Sequence, residues 1–366
     1  MKILHITSCR ELSAGQRKQL QYEEKAAGHL VSFTWDIAAF QIHPPEDYFE
    51  SRYPAFFRLL MLRNLYTWLY LFRKSSQYDI VLLRHMTFDP FLFVFGFFVR
   101  NRLSVHHSKA IEELKLVRRD WRGKAASLLE RFTGFVNSRQ VKGVLGVTGE
   151  IAAYEVATHK AKCPAGVYPN GIDTEQIALL EDRREKDVHI AFMCGKFTPW
   201  HGLDRLIEAM EYYEFTEPPE FGITIHLIGS LDQEQLQSIR RLDLKYSEIL
   251  CHGHLGVMEY RDILAKCDIG LDSLSLDLKG LNEATALKAR EYLASGLPVY
   301  SAFSDAAIPK DFPYYLKGPV DLNHIITYAL EMKPVSREVI REESIPYIEK
   351  YNIMVGLCEW LKENIE

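Results

Sequence analysis

The stretch NEATALKAREYLASGLPV (282–299) carries two carboxylates, Glu283 and Glu291, with seven residues between them and Lys288 three before the second. A carboxylate accepts hydrogen bonds from paired hydroxyls, such as those of a ribose or a hexose. Thr285 fits an N-cap, which puts Ala286 and Leu287 in the first helical turn and Lys288 at the third position. Ala286, Leu287, Ala289, Leu293 and Ala294 supply an apolar face, and Gly296 followed by Pro298 stops the helix. Free amides at such an N-terminus bind anions, and Lys288 adds a point charge. Two hydroxyl-reading carboxylates would then flank a phosphate-binding helix start, the order of groups in a sugar nucleotide. Solvated charges on an ordinary surface helix would produce the same spacing.

The elements that must hold these groups alternate along the chain. In the first half, KILHIT, HLVSFTW, DIVLLRH (79–85), NRLSVHH (101–107) and VKGVLGVT (141–148) read as strands, with a helix over GQRKQLQYEEKAAG. In the second, DVHIAFMCG (187–195), ITIHLIG (223–229), EILCHGHL (248–255), CDIGLDS (267–273) and LPVYSA (297–302) alternate with helical segments. This predicts an α/β protein of two Rossmann-like, doubly wound units joined near 163–173, with a cleft. Ligands of open parallel sheets sit at the carboxyl ends of the strands. The loop after the first strand has a single Gly15 and no G-x-G-x-x-G, which argues against a dinucleotide enzyme.

At 366 residues, 47% of them hydrophobic, the chain can bury two cores. Residues 1–168 carry 24 Lys+Arg against 15 Asp+Glu, and 169–366 carry 20 against 34, so +9 and −14 sum to the net −5. Six widely spaced cysteines without a C-x-x-C pair suit reduced thiols. No secretory signal opens the sequence, so a cytoplasmic location is expected. AFFRLLMLRNLYTWLYLFRKS (55–75) and FLFVFGFFV (91–99) read as buried core helices. Alternatively they form, with RRDWRGK (118–124), a basic aromatic surface resting on the inner face of an anionic membrane.

Several segments, in order, resemble retaining glycosyltransferases of family 4 (glycosyl transferases group 1), which have the GT-B fold. NEATALKARE resembles the family's Glu-x(7)-Glu signature, and the whole of CDIGLDSLSLDLKGLNEATALKAREYLASGLPV is similar to its strand, donor loop and donor helix. CGKFTPWHGLDRLIEAM (194–210), HLIGS (226–230), ILCHGHL (249–255) and YPNGID (168–173) are similar to further pieces of the C-terminal lobe. VHHSKAIEEL and GVLGVTGEIAAY resemble N-lobe pieces, and YNIMVGLCEWLKENI resembles a C-terminal helix crossing back. The likeness is strongest over 168–302 and faintest over 40–100.

The resemblance implies an acceptor-side domain at 1–165, a nucleotide-sugar domain at 166–348 and a returning helix at 349–366. It implies that Glu291 binds the ribose hydroxyls, Glu283 faces the transferred sugar and Lys196 meets the donor diphosphate. His201 stands where the family has a second basic residue. Gly253 and His254 would pass the base, Ala286, Leu287 and Lys288 would bind phosphate, and Gly15 would be a turn near the phosphates. His107, with His106 as the alternative, would reach the donor sugar, making His107, Lys196 and Glu283 the catalytic set. The implied reaction moves a sugar from a nucleoside-diphosphate sugar to a glycan or lipid-linked acceptor. It retains configuration and needs no metal, cofactor or nucleic acid, and its setting would be cell-surface polysaccharide synthesis. The alternatives are an epimerase or hydrolase of nucleotide sugars, or a two-lobed sugar binder without catalysis.

Overall fold

The computed structural model describes residues 1–44, 50–87, 89–117, 120–214 and 220–365. They form two compact units, Met1–Gly171 with Lys350–Glu366, and Ile172–Glu349.

The strands of the first unit are β1 (Lys2–Ser8), β2 (Thr34–Gln41), β3 (Glu50–Arg52), β4 (Ile80–Arg84), β5 (Arg102–His106), β6 (Gly143–Gly146) and β7 (Ala165–Val167). They make one parallel sheet in the order β3-β2-β1-β4-β5-β6-β7. Alternation along β1 and β4 divides the core between two faces. Leu4, Ile6, Val81 and Leu83 pack with Trp68 and Leu71, and Ile3 and Leu82 pack with Met354, Leu357 and Leu361 of the helix Lys350–Asn364. The second strand starts at Thr34, not at His29 as HLVSFTW suggests. Val31 is 84% exposed, and the helix before it ends at Ala27, leaving 28–33 as connection.

The strands of the second unit are β8 (Val188–Lys196), β9 (Ile223–Ser230), β10 (Ser247–Gly253), β11 (Ile269–Leu271), β12 (Glu283–Ala284), β13 (Val299–Ser301), β14 (Ser304–Asp305) and β15 (Tyr315–Lys317). Its six-stranded parallel sheet runs β10-β9-β8-β11-β13-β15, and β12 pairs only with β14. Val188, Ile190 and Phe192 alternate into a core with Leu203, Leu206 and Met210 of the helix Leu203–Glu214 and with Ile325 and Ala329 of the helix Leu322–Met332.

The two apolar N-terminal segments are only partly core. Residues 55–75 split into a short 3-10 turn, Ala55–Arg58, and the helix Leu60–Lys74; Trp68 and Leu71 are buried while Phe56, Leu59 and Phe72 are exposed. FLFVFGFFV holds a single helical turn, Leu92–Phe95, with Phe97 and Phe98 exposed, so it is not a buried core helix. Of the basic run 118–124, Arg118 and Arg119 lie outside the described residues.

Candidate functional site

The carboxyl edge of the second sheet gathers most of the expected residues. Lys196 ends β8 and is exposed, and among the described residues no carboxylate pairs with it. The 3-10 turn Pro199–His201 follows. There the Thr198 amide donates to His201 Nδ1 at 3.0 Å, so the ring proton sits on Nε2. Burial, with Lys288 and Lys279 nearby, pushes the His201 pKa down to about 3. The residue in the second basic position is therefore a neutral N–H donor at pH 7, not a cation. Gly202 takes φ +80°, and a Cβ there would meet Leu274 Cβ and Ser275 Oγ at 2.7 Å. That close approach lets the Leu274 amide donate to the His201 carbonyl at 2.9 Å, joining the loops after β8 and β11.

The helix of the opening motif runs Leu287–Ala294, and its N-cap is Ala286 rather than Thr285. Thr285 is buried, and Ala286 at the cap position makes no side-chain cap hydrogen bond. Lys288 reaches inward: Nζ lies 3.5 Å from Asp272 Oδ1, 3.6 Å from Cys194 Sγ and 4.8 Å from the centroid of the Phe192 ring. Burial raises the Asp272 pKa and Lys288 opposes it. The lysine's charge is thus shared with a buried carboxylate just past β11, a group not among the residues expected from the sequence. An aspartate closing an otherwise apolar strand, CDIGLD, is the signal that could have found it.

Glu291, just over one turn into the helix, accepts a hydrogen bond from the Tyr260 hydroxyl. Glu283 lies on β12, partly exposed. Its position relative to the helix is set by two residues that sequence reasoning missed. Arg290 Nη1 and Nη2 donate to Asp305 Oδ2 and Oδ1 at 2.7 and 3.0 Å, and both side chains are fully buried. Asp305 belongs to β14, the partner of β12. Gly253 closes β10 at φ +69°, and the exposed His254 follows it.

In the first unit, Gly15 lies inside the helix Ala14–Ala27, capped by Ser13, rather than in a turn before it. His107 is exposed just past β5 and lines a cavity of about 360 Å³ with Arg84, His85, His106 and Glu113. His106 is buried, 2.9 Å from Ser104 Oγ and 3.6 Å from Glu155, and stacked on His85 at 4.4 Å. Burial, with His85 and His159 beside it, holds its pKa well below the usual histidine value. Of the adjacent pair, only His107 is open to a ligand.

No family model and no curated protein matches the chain. Solved structures do. Anabaena HepE in complex with UDP and glucose is 15% identical, with a TM-score of 0.65, covering 99% of this chain and 100% of its own. The lipopolysaccharide outer core galactosyltransferase WaaB, in its apo form, is 11% identical at a TM-score of 0.63, covering 98% and 99%. Sucrose-phosphate synthase from Thermosynechococcus elongatus is 14% identical at 0.60, covering 99% and 98%. The chain therefore has the fold of the GT-B glycosyltransferases, two parallel-sheet α/β domains.

Proposed function

We propose that the protein is a retaining, metal-independent glycosyltransferase that moves a sugar from a nucleoside-diphosphate sugar to a glycan or lipid-linked acceptor in cell-surface polysaccharide synthesis. One observation carries this reading: Lys196, the neutral His201, Lys288, Glu283 and Glu291 all belong to segments leaving or bordering the carboxyl edge of one parallel sheet. That is the edge where such sheets take ligands. UDP and glucose in HepE, and the galactosyltransferase name of WaaB, support the donor class.

In this reading Glu291 holds the ribose hydroxyls and Glu283 faces the sugar. Lys196, with Lys288, His201 Nε2–H and the uncapped amides at Ala286 and Leu287, stabilises the diphosphate as it leaves. Gly253 and His254 border the base. Charge stabilisation and positioning carry the rate, with no protein nucleophile.

The first unit serves the acceptor, and its exposed apolar stripe is proposed to rest on anionic lipid. That stripe runs along the helix Trp121–Gln140, where Trp121, Leu128, Phe132 and Phe135 are 73, 72, 58 and 37% exposed at spacings of seven, four and three. Arg131 and Arg139 lie on the same helix.

A thermal-shift panel of nucleotides and nucleotide sugars tests the reading, because selective binding raises the melting temperature by mass action. Stabilisation by a nucleoside diphosphate and its sugar, followed by transfer, is expected. Hydrolysis or epimerisation without transfer at any acceptor would favour the alternative enzyme classes, and binding without turnover a sugar-binding protein. No response to any nucleotide overturns it.

A further inference from the structure

The first unit holds two arginines that make no ion pair among the described residues. Arg63 lies in the first turn of the helix Leu60–Lys74 and is only 8% exposed. Arg84 ends β4 and is half-buried. Among the described residues neither guanidinium has a hydrogen bond or ion pair, although buried arginines are normally paired.

Both arginines lie near the end of β1. Thr67 Oγ1 donates to Ser8 Oγ at 2.8 Å, which fixes the helix on the last residue of β1. Arg63 sits one turn earlier on that helix face, leaning toward the helix N-terminus and so past the end of β1. β4 pairs with β1 through Ile6 and Leu83, so Arg84 flanks the same end from the neighbouring strand. The fields of Arg84 and Arg63 both reach the thiol of Cys9, the next residue along.

Other charges among the described residues lie nearby. Arg17 and Glu50 pair at 2.7 Å, and Gln41 also donates to Glu50. Glu113, on the wall of the cavity that Arg84 lines, accepts from Ser108 and stays exposed. Among the described residues two arginines without an ion pair therefore remain near the carboxyl edge of β1 and β4, Arg84 feeling the field of Glu113 without a direct contact, beside a cavity of about 360 Å³ large enough for a sugar ring.

We propose that Arg63 and Arg84 form an oxyanion site that takes the phosphate or carboxylate of an anionic acceptor. This rests on the glycosyltransferase reading for the word acceptor, while the anion site itself rests on the two arginines. Guanidinium forks fit both anions, and desolvation strengthens the contact.

The test compares glucose 6-phosphate, glucuronate and glucose as probes, by calorimetry and as transfer acceptors, on the wild type, Arg84→Gln and Arg84→Lys. Among the described residues the Arg84 side chain makes no hydrogen bond or ion pair, so its substitution should leave the fold intact. The charged probes should bind at least tenfold more tightly than glucose, Arg84→Gln should erase that preference and Arg84→Lys should restore part of it. UDP affinity should stay unchanged in both variants. Equal binding of charged and neutral sugars overturns the proposal. So does a loss of UDP affinity in Arg84→Gln with the acceptor preference intact, which would give the site to the donor diphosphate. If UDP does not bind the wild type at all, the glycosyltransferase reading fails while a measured anion preference still stands.

Discussion

Arg290 and Asp305 form a bidentate ion pair with both side chains fully buried, and that pair couples the helix of Lys288 and Glu291 to the strand pair of Glu283. The motif's two glutamates are thus held in register by residues that need not touch a ligand themselves. Replacing Arg290 by Met leaves Asp305 buried without its partner, at a cost of roughly 3–5 kcal/mol. Urea unfolding should show the loss, and adding Asp305→Leu should recover much of it by removing the stranded charge.

Glu291→Gln should weaken UDP binding by roughly 1–3 kcal/mol, the range for losing a charged acceptor. Isothermal calorimetry measures it directly. Tyr260 already occupies one carboxylate oxygen, so Tyr260→Phe should change affinity less than Glu291→Gln.

The two lysines should separate by readout. Lys196 is exposed and has no carboxylate partner among the described residues, so Lys196→Ala should cut turnover roughly 10²-fold without lowering the melting temperature. Lys288→Ala strands the buried Asp272 and should lower both. Equal melting losses in the two variants would contradict the distinction.

Stability should fall in mild acid through a histidine chain in the second sheet. His189 Nδ1 lies 3.1 Å from His226 Nε2, and His226 Nδ1 lies 3.0 Å from His252 Nε2. Burial, with His189 and His252 adjacent, lowers the His226 pKa to about 4. Its folded value lies below the unfolded one near 6.5, so the unfolded chain takes the proton first. The contribution is complete above about pH 6.5 and drains away as pH falls toward about 4, amounting to ~3 kcal/mol. His226→Phe should flatten the pH dependence of urea stability across that window. A variant with the wild-type slope would exclude His226 as its source.

Membrane docking predicts sedimentation with vesicles rich in anionic lipid, weakened by salt. Leu128→Asp with Phe132→Asp should reduce the bound fraction about tenfold, because both side chains are exposed on the stripe. Unchanged sedimentation would dissociate the stripe from lipid.

Alternation of apolar runs was enough to find most main strands of both sheets, because buried parallel strands leave an unmistakable hydrophobic trace. The second strand was misplaced by a few residues because Val31 and Phe33 belong to a connection that mimics a strand start. Glu283, Lys288 and Glu291 stood out by type and spacing, but their surroundings did not. Thr285 has the chemistry of a cap, yet it is buried and Ala286 takes the position. Asp272, Tyr260 and Asp305 come from distant segments, and only folding brings them to the helix of Leu287–Ala294. Exposure was equally hidden: Trp68 and Phe72 share one helix, and the fold buries the first and leaves the second in solvent.

The helix Lys350–Asn364 completes the core of the first unit after the chain has made the whole of the second. A single nick between Gly171 and Ile172 would therefore leave 1–171 held to this helix without a peptide bond, through Met354, Leu357 and Leu361 packed against the first sheet and the Lys350–Glu23 ion pair. The nicked protein should behave as a two-fragment complex whose lifetime is set by how slowly one amphipathic helix lets go.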